Sequence, residues 1–458
     1  MSKRKLQEVS EPELFQDVFP YDLPPRIVFD HKGVDLDGDF SKRNLRISDT
    51  TFRDGQQARP PFTVEQMINL FNLLSKISGP NGVIDNSEFF VYSDKDKDAV
   101  TACLEQGHKF PRVTGWIKGT REDGSRLKWL GEIGIKETGL LTSCSDYHIF
   151  LKLNKDRRKA LDEYIFMVEK TIEKGIRPRC HLEDVTRADV DGFVVPFVQK
   201  LMDISDQVDD SLKVKVRLCD TMGFGVPHDK VALPRGIPKL VYAMRFEAGV
   251  PTDRLEWHGH DDFNKVHANA ASAWYYGCDF LNSTLCGFGE RTGNPPVEAA
   301  VFEYMSLKGT KDGMNTEAIT EAADYLRRIG VVIPHDRCIV GHEAFTTRAG
   351  IHAKGLDSDE RIYNPFNSKS LLGRDPQVLL TDKSGPEGVT AYVNNFLRAE
   401  GLLEKDDKVP ERDVLPIVKW WSEEYKGGRM TAISQTEMKE KIEKHLPQYF
   451  GCKKSGGV

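Results

Sequence analysis

Several features are missing from this sequence, and each absence removes a class of protein. No run of about 18 apolar residues occurs, so no membrane-spanning helix is expected. The eight cysteines are scattered without a C-x-x-C pair, which argues against a zinc finger or a disulfide frame and for a reducing cytosol. Positive charge is not in excess. The net charge of -6 leaves no electrostatic footprint for nucleic acid, and small anionic substrates would need local positive charge instead. The opening MSKRKLQEVSEPELF has a basic tip but no apolar stretch behind it, so it does not read as a secretory signal. There is no internal repeat and no low-complexity segment. These absences predict a cytoplasmic protein with neither a membrane nor a nucleic-acid partner.

What is present reads as globular, with 39% hydrophobic and 29% charged residues. At 458 residues the chain exceeds one ordinary domain. A (β/α)₈ barrel takes about 250 residues, so a barrel plus a second domain is a natural division. Residues 1–43 are polar and contain Pro20, Pro24 and Pro25, which suggests an N-terminal arm on the surface. From Leu45 short apolar runs alternate with amphipathic stretches, the texture of βαβ units. Eight runs read as strands, at 45–48, 83–92, 112–117, 134–144, 176–183, 213–219, 255–260 and 280–285. Helical stretches between them include Asn154 to Lys174 and Asp189 to Asp203. Eight strands in alternation favour a closed TIM barrel over 44–308. An open doubly wound sheet is the alternative, but no G-x-G-x-x-G opens a helix after the first strand. A helical linker over 309–334, with a helix from Thr316 to Gly330, precedes a mostly helical C-terminal domain at 335–458. There the sequence is loop-like to about Gly388, with helices near 389–403 and 435–446.

Barrel sites form at the C-terminal ends of strands. The first strand ends in DTTFRDGQQ, where the Asp54 carboxylate can bind a hard divalent ion and Arg53 can polarise a carbonyl or grip a carboxylate. A plain loop ion pair would look the same. In the seventh strand His258 and His260 point to one face and can ligate one metal together. Alone, H-x-H is often a solvated strand end; beside Asp54 it gains weight. The fifth strand puts Arg179, His181 and Glu183 on one face, and three ionisable groups in a barrel interior must be paired or functional. The sixth places Arg217, Cys219 and Thr221 together, although Thr221 also suits a turn. After the eighth strand comes CGFGERTGNPP, where Gly287 and Gly289 let backbone amides approach a phosphate. An ordinary Gly-rich turn would serve equally, with Arg291 one more surface charge. Further on, His352 in RAGIHAK and Tyr363 form a pair suited to proton transfer, or a surface loop.

Four of these segments, DTTFRDGQQ, HGHDD, FGERTGN and AGIHAKG, occur in one order. Together they resemble the signatures of the metal-dependent Claisen-type synthases of the DRE-TIM metallolyase superfamily. That group holds 2-isopropylmalate synthase, homocitrate synthase and Re-citrate synthase, and the match runs from about Leu45 to about Gly385. The resemblance implies a divalent metal held by Asp54, His258 and His260, with Asn294 a further ligand. Mn²⁺ or Co²⁺ comes first, and Zn²⁺ or Mg²⁺ also suits such a site. The resemblance implies Arg53 at the keto oxygen, Glu183 as a catalytic carboxylate, and Thr221 and Gln57 at the substrate. It implies acetyl-CoA over Gly287, Gly289, Glu290 and Arg291. It also implies that His352 and Tyr363 reach a barrel mouth from the partner subunit of a homodimer, which makes the C-terminal domain a lid and dimerisation domain. The base is left open among His352, Tyr363 and Glu183. Two departures stand out, Asp261 where the group usually shows Asn and His267 where a small residue is usual.

The implied reaction joins acetyl-CoA to a 2-oxo acid. Arg179 resembles the arginine that homocitrate synthases use for a distal carboxylate, so a dicarboxylic oxo acid is expected. His181 stands where those enzymes carry a smaller residue and would shorten the pocket, which favours oxaloacetate over 2-oxoglutarate. The arm and the string HGHDDFNK are similar to the Re-citrate synthases. Homocitrate synthase, then 2-isopropylmalate synthase-like activity, are the alternatives.

Overall fold

A computed structural model describes residues 6, 9–29, 42–404 and 407–450. The expected N-terminal arm therefore lies partly outside the described residues. By contacts the chain divides into Arg26–Ile333 and a second unit made of Met1–Pro25 with Pro334–Val458.

The first unit is a closed barrel of eight parallel strands. They are β1 (Arg46–Asp49), β2 (Ile84–Phe90), β3 (Arg112–Ile117), β4 (Glu137–Ser143), β5 (Arg177–Glu183), β6 (Lys215–Asp220), β7 (Leu255–Gly259) and β8 (Phe280–Ser283). β8 closes on β1, with Arg46 opposite Phe280. Each strand sits on one of the eight runs read from sequence, because apolar alternation between helical stretches is what a buried parallel sheet requires.

Alternation sorts the two faces. Outward go Phe89, Cys180, Leu182, Leu218 and Trp257, all at most 1% exposed under the helices. Phe52 stacks on Phe89 at 4.7 Å in that layer. Inward go Glu88, Glu137, Arg179, Arg217 and Glu256, also buried. The lumen is thus charged where most barrels carry branched aliphatics. Burying such groups is costly unless they pair. Here they do: Glu88 and Glu137 meet Arg179, Glu88 and Glu256 meet Arg217, and Lys215 meets Glu137 at 3.0 Å.

The helices follow their local signals. Val64–Ser78 opens on a capping box between Thr63 and Gln66. Val297–Lys308 stops at Gly309, whose φ of 67° suits a residue without Cβ. Glu317–Arg328 packs on Val64–Ser78, with Asn69 Nδ2 donating to the Tyr325 hydroxyl at 3.0 Å.

In the second unit, helices Gly385–Ala399, Glu411–Lys426 and Gln435–His445 enclose a core that includes Val389, Val393, Ile417, Trp421 and Ile442. The stretch expected to be loop before Gly388 holds a helix, Gly350–Ser358. Glu411–Lys426 had no counterpart in the sequence reading, since its interior Pro416 signals a break. The stripe of Val414, Ile417 and Trp421 is buried and outweighs that signal.

Candidate active site

The turn after β1 and the end of β7 face each other across the C-terminal mouth. Asp54 begins a single 3₁₀ turn, Asp54–Gln56, while His258 and His260 leave β7 on the inward face. Asp54 Oδ2 lies 3.3 Å from His258 Nε2 and 3.6 Å from His260 Nε2, and the two Nε2 atoms are 3.3 Å apart. Three donors about 2.1 Å from a tetrahedral ion would stand about 3.4 Å from one another, so the triangle fits a divalent cation. Among the described residues this is also the group of His, Cys, Asp and Glu side chains close enough to hold an ion. His258 Nδ1 is 2.8 Å from Asn282 Oδ1, which directs its Nε2 lone pair inward. Burial pushes the Asp54 carboxyl up, but the Arg53 guanidinium and the two imidazoles outweigh it and hold it well below the usual range. Burial pulls His260 down to about 4, keeping the neutral form that ligation needs.

Asn294 stands behind the triangle. Its Nδ2 is 3.4 Å from Asp54 Oδ2 and 3.0 Å from the Gly259 carbonyl, and its buried Oδ1 has no partner among the described residues. A Cβ on Gly289 would lie 1.7 Å from that Oδ1, so only glycine fits there. Glu290 N donates to Asp54 Oδ1 at 3.1 Å, tying the Gly-rich stretch to the site. Gly287, with φ of 69°, turns the chain into it. Arg291 is taken up by Asp262, at 2.8 and 2.9 Å, and by the Thr221 carbonyl.

Beside the triangle lies a cavity of ≈ 290 Å³. Its lining brings together Arg53, Asp54, Gln57, His181, Glu183, Thr221, His258, His260, Glu290 and Arg291. Phe90, Trp116 and Leu141 give it apolar walls. Arg53 is anchored by Nε donating to Glu88 Oε1 at 3.0 Å. The Thr221 hydroxyl accepts the Asp184 N–H at 2.8 Å. Glu183 meets His148 Nδ1 at 2.9 Å, Lys152 and the Ser143 hydroxyl. Burial raises its carboxyl, but the His148 contact and the Lys152 charge bring it down to about 2.

His181 forms part of the floor. Its Nδ1 accepts the Trp116 indole N–H at 3.3 Å, and its Nε2 is 3.3 Å from Glu88 Oε2. Burial, then the neighbouring Arg217, lowers it to about 3, so it stays neutral. Gly139 makes room, since a Cβ there would lie 2.7 Å from His181 Nε2.

Arg179 stands apart from the other residues of that face. It faces inward, yet it is 0% exposed and does not line the cavity. Its Nη1 donates to Glu137 at 2.7 Å, its Nη2 to Glu88, and its Nε to His181 Nε2 at 3.3 Å. Alternation gives the face of a side chain but not its depth, and at this depth two carboxylates already occupy the guanidinium.

In the second unit His352 and Tyr363 pair, their ring centroids 4.2 Å apart, and both are exposed. Of the two departures, Asp261 accepts the Val266 N–H at 3.1 Å and steadies the start of Val266–Tyr276. His267 points to Glu303 at 3.5 Å on the outer helices. Sequence reasoning missed Glu88, Gly139, Trp116 and His148. The polar patch in the middle of IDNSEFF and the histidine just after β4 were the available signals.

A protein-family model described as HMGL-like matches residues 44–326. The chain belongs to the HMGL-like family. Within 447 aligned residues this HMGL-like chain is 46% identical to the Citrate (Re)-synthase of Syntrophus aciditrophicus, covering 97% of the chain and 70% of that protein. It is 42% identical to the Citrate (Re)-synthase of Clostridium kluyveri, covering 97% of the chain and 96% of the relative. It is 35% identical to the 2-phosphinomethylmalate synthase of Streptomyces hygroscopicus, over 96% of the chain and 98% of that protein. Among solved structures, the HMG-CoA lyase of Bacillus subtilis superposes with a TM-score of 0.50 at 18% identity, covering 64% of this chain and 96% of that one. That likeness concerns the fold alone.

Proposed function

We propose that this chain condenses acetyl-CoA with oxaloacetate and water to give citrate and CoA. The observation that carries the reading is the Asp54–His258–His260 triangle beside Arg53, in a chain 46% and 42% identical to two proteins named Citrate (Re)-synthase. Asp54, His258 and His260, with Asn294 at hand, hold a divalent ion, Mn²⁺ or Co²⁺ before Zn²⁺ or Mg²⁺. Such an ion supplies a Lewis acid for the 2-keto group. Arg53, fixed through Nε and with Nη1 3.6 Å from Asp54 Oδ2, keeps Nη2 for the same oxygen. Thr221 and Gln57 take the adjacent carboxylate. Gly287, Gly289, Glu290 and Arg291 border the acetyl-CoA. His181 limits the length of the oxo acid, and the dicarboxylate preference rests on the likeness to the relatives rather than on Arg179.

A base removes a proton from the acetyl methyl, the carbanion attacks the ketone, and water hydrolyses the acyl-CoA product. Glu183, held near 2, is a poor proton acceptor at neutral pH but a good fixed negative charge. That favours the His352–Tyr363 pair as the base. In this reading the pair serves the barrel of the partner subunit, and the C-terminal unit is the dimerisation domain. No described helix is long and apolar enough to cross a membrane, and the described cysteines form no disulfide, which supports a cytoplasmic setting.

The test is CoA release with oxaloacetate, 2-oxoglutarate and 2-oxoisovalerate, before and after chelation. The expected result is a metal-dependent preference for oxaloacetate. Preference for 2-oxoglutarate would replace this reading with homocitrate synthesis.

A further inference from the structure

We propose that Arg59, held by Phe62 and Phe288, forms the phosphate-binding edge of the acyl-CoA site. The proposal rests on the acyl-CoA reading above and names a contact for the carrier rather than for the reacting acyl group.

Arg59 lies in RPPF, between the turn Asp54–Gln56 and the helix Val64–Ser78. Its guanidinium sits 4.0 Å from the Phe62 ring centroid and 5.9 Å from that of Phe288. Nε donates to the Pro60 carbonyl at 3.3 Å. Nη1 is buried and, among the described residues, has neither a hydrogen-bond partner nor a carboxylate in ion-pair range. The other arginines around the mouth differ, since Arg53 meets Glu88 and Arg291 meets Asp262. A buried donor without a partner is destabilising, and a guanidinium without an anion more so. Burial accordingly pulls Arg59 down from its ordinary value. Two aromatic rings nevertheless hold it in place, which pre-organises it for an anion from outside.

The position fits a phosphate of the carrier. Gln57, two residues before Arg59, and Glu290, two residues after Phe288, both line the cavity beside the metal triangle. Arg59 is not itself in that lining but follows it by two residues along the chain, on the side where the non-reacting end of a thioester in the cavity would lie. Next to Phe288, the Gly289 N–H donates to no acceptor among the described residues, which gives a second donor. A planar guanidinium with a backbone N–H nearby is suited to phosphate oxygens.

The test uses the metal-loaded full chain with acetyl-CoA, acetyl-dephospho-CoA and acetyl-pantetheine. Arg59→Met keeps the stem against Phe62 and removes the charge. The expected result is a roughly 10- to 100-fold fall in the ratio of kcat/KM for acetyl-CoA to that for acetyl-pantetheine, with partial recovery in Arg59→Lys. If the fall persists with acetyl-dephospho-CoA, the diphosphate is the contact; if it vanishes there, the 3′-phosphate is. Equal losses with acetyl-CoA and acetyl-pantetheine, or no loss with either, overturn the proposal. Failure of the function itself looks different, because the unmodified protein then releases no CoA from any pair of substrates. Calorimetric titration of CoA into both proteins then decides the matter. Binding at least tenfold weaker in Arg59→Met supports the proposal, and equal or absent binding overturns it.

Discussion

Removing Arg179 takes from Glu88 and Glu137 the fully buried guanidinium that both of them meet. Breaking such a set by deleting one partner costs about 3–5 kcal/mol. Arg179→Ala is therefore expected to lower the unfolding free energy by that order in urea titrations, with no selective rise in KM for the oxo acid. A selective KM effect at unchanged stability would return Arg179 to the substrate. The proposed metal ligands should behave differently, since they line a cavity. His260→Ala should stay folded and lose bound divalent metal, measured by elemental analysis of the purified protein, and full activity in the metal-free variant would sink the ligand assignment. Glu183 gives a pH prediction. Its folded carboxyl, near 2, lies below the unfolded value, so it contributes stability that is present above about 4.5 and lost as pH falls toward 2. His148→Gln removes the imidazole that meets Glu183 at 2.9 Å and should move the acidic limb of kcat/KM upward by on the order of one pH unit. An unmoved limb would show that another group sets it.

At the scale of elements, the barrel was legible because its strands are short apolar runs spaced by helices. The metal triangle was legible because i and i+2 residues share a face, as His258 and His260 do. Depth was not legible, since it depends on the stagger between strands; β5 pairs with β6 at Arg179 and Lys215, a level below the mouth. Long-range fits were equally hidden. Nothing in β4 alone says that Gly139 exists to admit His181 from β5. Gly139→Ala would bring a Cβ to 2.7 Å from His181 Nε2 and 2.8 Å from Trp116 Cδ1. Overpacking of this kind costs about 1–3 kcal/mol. The variant should fold with a lower midpoint and a reduced kcat/KM for oxaloacetate, and an unchanged value would mean that His181 does not shape the pocket. In the C-terminal unit Glu411–Lys426 went unassigned from sequence, and it accommodates its interior Pro416 because Val414, Ile417 and Trp421 form a buried stripe.

At the scale of the molecule, the proposed division of labour between barrel and C-terminal unit can be checked by mixing. His352→Ala and Arg53→Ala proteins, each inactive, should regain activity when unfolded and refolded together, up to about a quarter if mixed dimers form statistically and one intact site works. Mixed dimers that stay inactive would mean that His352 serves its own chain's barrel. The charged lumen has a consequence for how such a molecule can change over time. Glu88 touches residues from the turn after β1 and from β5 and β6, while Glu256 adds β7. Each member is tolerable only in the company of the others, so single replacements there should be rejected even when a matched double replacement is accepted. Such coupling makes the set epistatic, and relatives that diverge at one of these positions should have diverged at its partners too.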